Sequence, residues 1–91
     1  IVFLELLRRG YEIYIGKLYA LEIDFIALNG SEKIYIQVSD NISAPETLQR
    51  ELAPLKKIRD AYPKMLLART RHPEINYDGI RIINLVDWLM Q

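Results

Sequence analysis

The apolar residues of this chain change period several times, and each change marks an element. From Ile1 to Arg9 they cover most of a helical circumference, closed by Gly10, a residue suited to the C-terminal end of a helix. Tyr11 to Ile15 reads as a strand, with Gly16-Lys17 as a break. The stretch from Leu21 to Asp40, LEIDFIALNGSEKIYIQVSD, reads as two strands around a tight reversal at Asn29-Gly30. Its second half alternates: Ile34, Ile36 and Val38 on one face, Lys33, Tyr35, Gln37 and Ser39 on the other. Three successive strands with short turns predict an antiparallel meander.

After Asp40 the period becomes helical. Ser43-Ala44-Pro45-Glu46 reads as a capping box, followed by a stripe of Leu48, Leu52, Leu55 and Ile58. Pro54 falls inside the stripe and is expected to kink the helix rather than stop it. Met65 to Ala68 reads as a buried strand, Arg69 to Gly79 as a polar loop, and Ile80 to Ile83 as a last strand. Asn84 caps a closing helix from Leu85 to Met90, with Asp87 at its third position. The predicted order is α-β-β-β-α-β-β-α. A helix between strands implies a crossover, so residues 1–91 are expected to form one α/β domain, a small mixed sheet flanked by helices.

Composition narrows the setting. Twelve basic residues balance twelve acidic ones, which removes a global electrostatic footprint for nucleic acid but leaves room for a local one. The absence of cysteine excludes disulfides and thiolate metal sites and leans the expectation to the cytoplasm. No apolar run reaches membrane-span length, so no membrane partner is expected. The opening segment lacks the basic start of a signal peptide and carries Glu5. It begins in mid-helix pattern without a methionine, as expected for a piece of a longer polypeptide.

Candidate chemistry centres on the hairpin. A register pairing Leu28 with Lys33 places Asp24 opposite Gln37; a register two residues shorter pairs Asp24 with Tyr35 and leaves Gln37 diagonal to it. In both, an acid and an amide share one face, where they either hold a common ligand or bond to each other. Glu5 on the first helix is a third oxygen donor, although Arg8 and Arg9 stand at ion-pairing distance along that helix. Between Arg50 and Arg71, seven cations (Arg50, Lys56, Lys57, Arg59, Lys64, Arg69, Arg71) face only Glu51 and Asp60, a bias that fits either phosphates or a solvated face. His72, in a polar loop, has no activating partner in the sequence. Tyr11, Tyr14, Tyr19 and Tyr35 read as cover for a sheet.

VFLELLRRGYEIYIGK, then EIDFIA, KIYIQVS and ETLQRELAPLKKIRDAYPK, closing on INLVDWL, resembles the C-terminal domain of bacterial and archaeal AAA+-type ATPases of unknown function. In that family a P-loop ATPase module and a winged-helix segment come first. The resemblance therefore implies that ATP is handled elsewhere in the parent chain, and that the ATPase module is a partner. That C-terminal domain is similar to the PD-(D/E)XK nuclease superfamily, which implies a restriction-endonuclease-like fold. Carried over, the helix glutamate is Glu5, the strand aspartate is Asp24, and the (D/E)XK stretch falls on Gln37-Val38-Ser39. Gln37 replaces the second acid, and Ser39 stands where the water-activating lysine belongs. The implied catalytic set of Glu5, Asp24, Gln37 and Ser39 is thus degenerate, with Glu5, Asp24 and Gln37 the ligands for any Mg²⁺. The expectation is an accessory module that binds DNA, through Lys56, Lys57 and Arg59, or a protein, without cleavage. The alternatives are an active Mg²⁺-dependent nuclease borrowing Lys33, Lys56 or Lys57, and a scaffold that contacts its own ATPase ring or self-associates.

Overall fold

The computed structural model describes residues 1–19, 21–70 and 73–91. Among these residues three helices, α1 (Val2–Arg8), α2 (Pro45–Lys56) and α3 (Leu85–Leu89), accompany six strands. These are β1 (Glu12–Ile15), β2 (Phe25–Asn29), β3 (Glu32–Asn41), β4 (Lys64–Arg69), β5 (Ile75–Tyr77) and β6 (Ile80–Asn84). A 3-10 turn, Gly16–Tyr19, follows β1. The strands form one mixed sheet in the order β1-β2-β3-β4-β6-β5. β1, β2 and β3 are the antiparallel meander; β4 joins β3 in parallel through the α2 crossover, and β6 lies parallel to β4. No helix among the described residues is long and apolar enough to cross a membrane.

Alternation along the strands divides the core into two layers. On one face Ala27, Ile36, Met65, Leu67 and Ile83 pack with Val2 and Leu6 of α1 and Trp88 of α3. On the other, Tyr35, Leu66, Ile80 and Ile82 meet Leu52 and Leu55 of α2, joined by Ile23. Central strand β4 is buried on both faces, so Met65-Leu66-Leu67-Ala68 is apolar throughout, as parallel strands covered by helices are. Each buried leucine or isoleucine contributes about 1.5–3 kcal/mol relative to exposure.

Several details differ from the sequence reading, each for a local reason. Strand β2 starts at Phe25 rather than Leu21, because the chain from Gly16 to Asp24 turns back on itself through backbone bonds. The hairpin reverses at Gly30-Ser31, with Asn29 still paired to Glu32 and Gly30 at φ +62°. Ser43 does not cap α2. Pro45 pushes the residue before it out of the helical region, so Ala44 (φ −83°, ψ 128°) becomes the N-cap without a side-chain bond. The helix continues through Pro54 as expected. The polar loop contains a strand, β5, closed onto β6 by Asp78-Gly79 at φ +51° and +84°. Asp-Gly between Tyr77 and Ile80 was itself the hairpin signal. Tyr19 ends the 3-10 turn instead of lying in a strand. The closing helix is capped as read, with Asn84 accepting from the Asp87 N–H at 3.1 Å. Arg71 and His72 lie outside the described residues.

Candidate functional site

Gly16 builds the corner from which Asp24 projects. Its N–H donates to the Asp24 carbonyl at 3.2 Å, and its own carbonyl accepts from the Leu21 N–H at 3.0 Å. A side chain there would overlap the Ile23 carbonyl oxygen, so the close approach of these backbones requires glycine. The β2–β3 register pairs Leu28 with Lys33 and Phe25 with Ile36. Continued by one residue, it sets Asp24 opposite Gln37, the first of the two registers considered above.

The two side chains do meet, through backbone. Gln37 Oε1 accepts from the Asp24 N–H at 2.9 Å, and Asp24 Oδ2 accepts from the Val38 N–H at 2.9 Å. Each side chain therefore fastens the other's strand. Gln37 is a buried polar residue in the core, 6% exposed. This clasp satisfies groups that β2, which begins only at Phe25, does not pair by ladder bonds, and a satisfied buried amide is the expected state.

Glu5 is engaged elsewhere. It accepts from Arg8 at 3.0 and 2.6 Å and from Arg9 at 2.6 Å. The Arg8 bond, then the Arg9 bond, hold its carboxyl down to about 2. Arg9 also donates to the Trp88 carbonyl at 2.5 Å and stacks 4.3 Å over the Trp88 ring, so Glu5 belongs to the joint between α1 and α3. Ser39 is half-buried, beside Ala68 of β4 and on the Gln37 face by alternation. The acid that accompanies Asp24 is Glu51, which along the chain counts only as a counter-charge in the basic segment. Glu51 on α2 has its pKa raised, first by burial and then by the nearby Asp24 charge, with Arg50 opposing. Its spacing gave a signal, one position before Leu52 on the stripe, but only packing of α2 on the sheet brings it to Asp24.

These donors do not fit a hard divalent cation. Mg²⁺ wants several oxygens converging at about 2.0–2.1 Å. Here one oxygen each of Gln37 and Asp24 accepts a backbone N–H, while Glu5 is bound by two guanidinium groups. Among the described residues no three acidic or histidine side chains gather in a metal-holding group. Of the three lysines offered in place of the missing one, two are ion-paired and the third sits against tyrosine rings, away from Asp24. Lys33 lies 5.0 Å from the Tyr35 ring, Lys56 pairs with Asp78 at 3.6 Å, and Lys57 with Glu22 at 3.7 Å.

The basic segment is consequently less positive than it reads. Folding delivers Asp78 from the β5–β6 turn and Glu22 from before β2, partners a linear count cannot include. Arg59 is exposed and has no ion-pair partner among the described residues. Folding also adds aromatic rings to Tyr62, the segment's own: Lys56 lies 4.8 Å from the Tyr77 ring centroid, and Lys64 5.6 Å from that of Tyr35.

A cavity of about 430 Å³ opens at the carboxyl ends of parallel strands β3 and β4, lined by residues such as Asn41, Leu48, Arg69 and Ile75. Asp24, Gln37 and Ser39 are not in its wall.

Comparison with known proteins places few constraints on what this arrangement does. No family model matches the chain, and no solved structure matches it. An uncharacterized protein of Haemophilus influenzae is 46% identical over all 91 residues. The chain spans 22% of the length of that relative.

Proposed function

We propose that this chain is a restriction-endonuclease-like module of a larger, cytoplasmic AAA+-type ATPase, and that it binds nucleic acid without cleaving it. Its α-β-β-β-α-β beginning, with a meander and one crossover helix between parallel strands, is the order that reading expects. The relative in which an equivalent stretch makes up about a fifth of the length is consistent with a module.

The observation that carries the absence of cleavage is the Asp24–Gln37 clasp, and Arg59, exposed and without an ion pair among the described residues, supports the binding. A cleavage centre needs carboxylate oxygens free for a metal and a cation beside the attacking water. The clasp spends an oxygen of each side chain on the backbone, and Ser39 offers a hydroxyl that neither carries positive charge nor acts as a base at neutral pH. What nuclease ancestry would leave behind is then a strand-fastening pair.

Calorimetric titration with Mn²⁺, and incubation of plasmid and branched DNA with Mg²⁺ or Mn²⁺, test this directly. No metal-binding heat, no nicks and retained DNA binding are the expected results. Metal-dependent nicking that disappears in Asp24→Ala would overturn the proposal in favour of a live nuclease. A scaffold role is the second reading, favoured by exposed apolar residues on or next to α1 and α3: Leu4 on α1 is 68% exposed, and Ile1 and Met90, flanking the helices, 78% and 82%. Self-association without DNA binding would select it.

A further inference from the structure

The starts of β3 and β4 lie side by side, Tyr35 in register with Lys64, and a short segment from Asp60 to Pro63 crosses above them. That segment is fixed. The Tyr62 N–H donates to Asp60 Oδ1 at 3.1 Å, and Lys64 Nζ donates to the carbonyls of Asp60 and Tyr62 at 2.8 and 3.0 Å. The Tyr35 N–H donates to the Pro63 carbonyl at 3.0 Å, while the Tyr35 hydroxyl donates to Asp60 Oδ2 at 2.5 Å. A rigid turn thus presents the Tyr62 ring, 44% exposed, to solvent.

Two cations flank this ring. Lys33 Nζ lies 5.0 Å from the ring centroids of both Tyr35 and Tyr62, with no carboxylate at ion-pair distance among the described residues. Arg59, exposed and likewise without an ion pair among them, lines a cavity of about 400 Å³ together with Tyr62, Lys56 and Lys64. Asp60 and Asp78 lie in the same wall, but Asp60 is occupied by Tyr35 and Lys64, and Asp78 by Lys56.

An exposed, preorganised ring beside cations that have no ion-pair partner among the described residues suits a base followed by phosphates. In a duplex the base faces are stacked on one another and hidden from such a ring; in an unpaired strand they are free. We propose that this corner binds an unpaired stretch of nucleic acid, with one base stacked on Tyr62 and the adjoining phosphates held by Lys33 and Arg59. The inference rests on the nucleic-acid-binding reading above and narrows its ligand. Single-stranded DNA and RNA share the chemistry, so both are tested.

Fluorescence anisotropy of the 91-residue chain at low salt, with oligo-dT, oligo-U and duplex probes of about 15 nucleotides, is the decisive measurement. Single strands of at least one type should bind more tightly than duplex. Tyr62→Ala should weaken that binding about ten-fold or more, and Tyr62→Phe, which keeps the ring, should not. Lys33→Ala and Arg59→Ala should each lower the salt slope by about 0.7. The two salt slopes keep the test open even if the Tyr62→Ala melting transition is lost. Preference for duplex, or a folded Tyr62→Ala that binds as the parent does, overturns the inference while leaving nucleic-acid binding intact. Failure of all three probes removes both.

Discussion

Replacing Gln37 by leucine removes one arm of the clasp while leaving the volume nearly unchanged, so the packing cost stays small. The lost hydrogen bond is worth about 0.5–1.5 kcal/mol, and stranding the Asp24 N–H adds a desolvation penalty within the roughly 1–3 kcal/mol range for buried donors. Asp24 is half-buried, which favours the lower part of that range, and about 1–2 kcal/mol is the expected total. In a domain of this size each kcal/mol moves Tm by about 4–8 °C, so thermal denaturation followed by circular dichroism resolves the effect. Asp24→Ala deletes the charge-assisted bond to the Val38 N–H, worth about 1.5–3 kcal/mol. Each side chain holds the strand that carries the other, so the second deletion acts on a clasp already opened. The double variant should therefore lose less than the two single losses together, by about 0.5–1 kcal/mol. Parental Tm in Gln37→Leu would refute the clasp. So would millimolar Mg²⁺ or Mn²⁺ raising the Tm of the parent but not of Gln37→Leu, the mark of a ligand bound to the folded state.

Gly16→Ala should cost about 1–3 kcal/mol in urea denaturation, since the added carbon overlaps the Ile23 carbonyl; an unchanged midpoint would contradict that close approach. Glu5 has a folded pKa of about 2 against 4.5, so the stability it gives is present above about pH 4.5 and lost as pH falls toward 2. Glu5→Gln should flatten that acid limb in Tm-against-pH curves. Glu51 has the opposite sign. Its folded pKa is raised, so its contribution is full below about pH 4.5 and disappears as pH rises through the folded value. Glu51→Gln should therefore melt higher than the parent at pH 7, relative to the difference at pH 4. Leu4→Glu, on the exposed side of α1, should lower any concentration-dependent sedimentation of the chain without lowering its Tm; persistence of association would place the contact elsewhere.

Local patterning determined much of this protein. The alternation through Ile34, Ile36 and Val38 set which residues of β3 face α1 and which face α2, because a strand has only two sides. The stripe at Leu48, Leu52 and Leu55 set the buried face of α2 in the same way, and Asn84 with Asp87 closed α3 through a bond three residues long. Glu5 found Arg8 and Arg9 because one helical turn brings them together. The hairpin limited Asp24 and Gln37 to two registers, each of which put them on one face.

Only the tertiary structure chose between ligand site and clasp. That choice turned on which backbone N–H groups were left unpaired before β2 begins, and that beginning depends on Gly16 folding against Ile23 and Asp24. Contacts between elements were likewise invisible along the chain: Glu51 beside Asp24, Lys56 on Asp78, Lys57 on Glu22, and Lys33 between two tyrosine rings. Periodicity fixes which side of an element is apolar. The angle and offset at which helices settle on a sheet, which depend on the packing of many side chains at once, decide which polar groups meet.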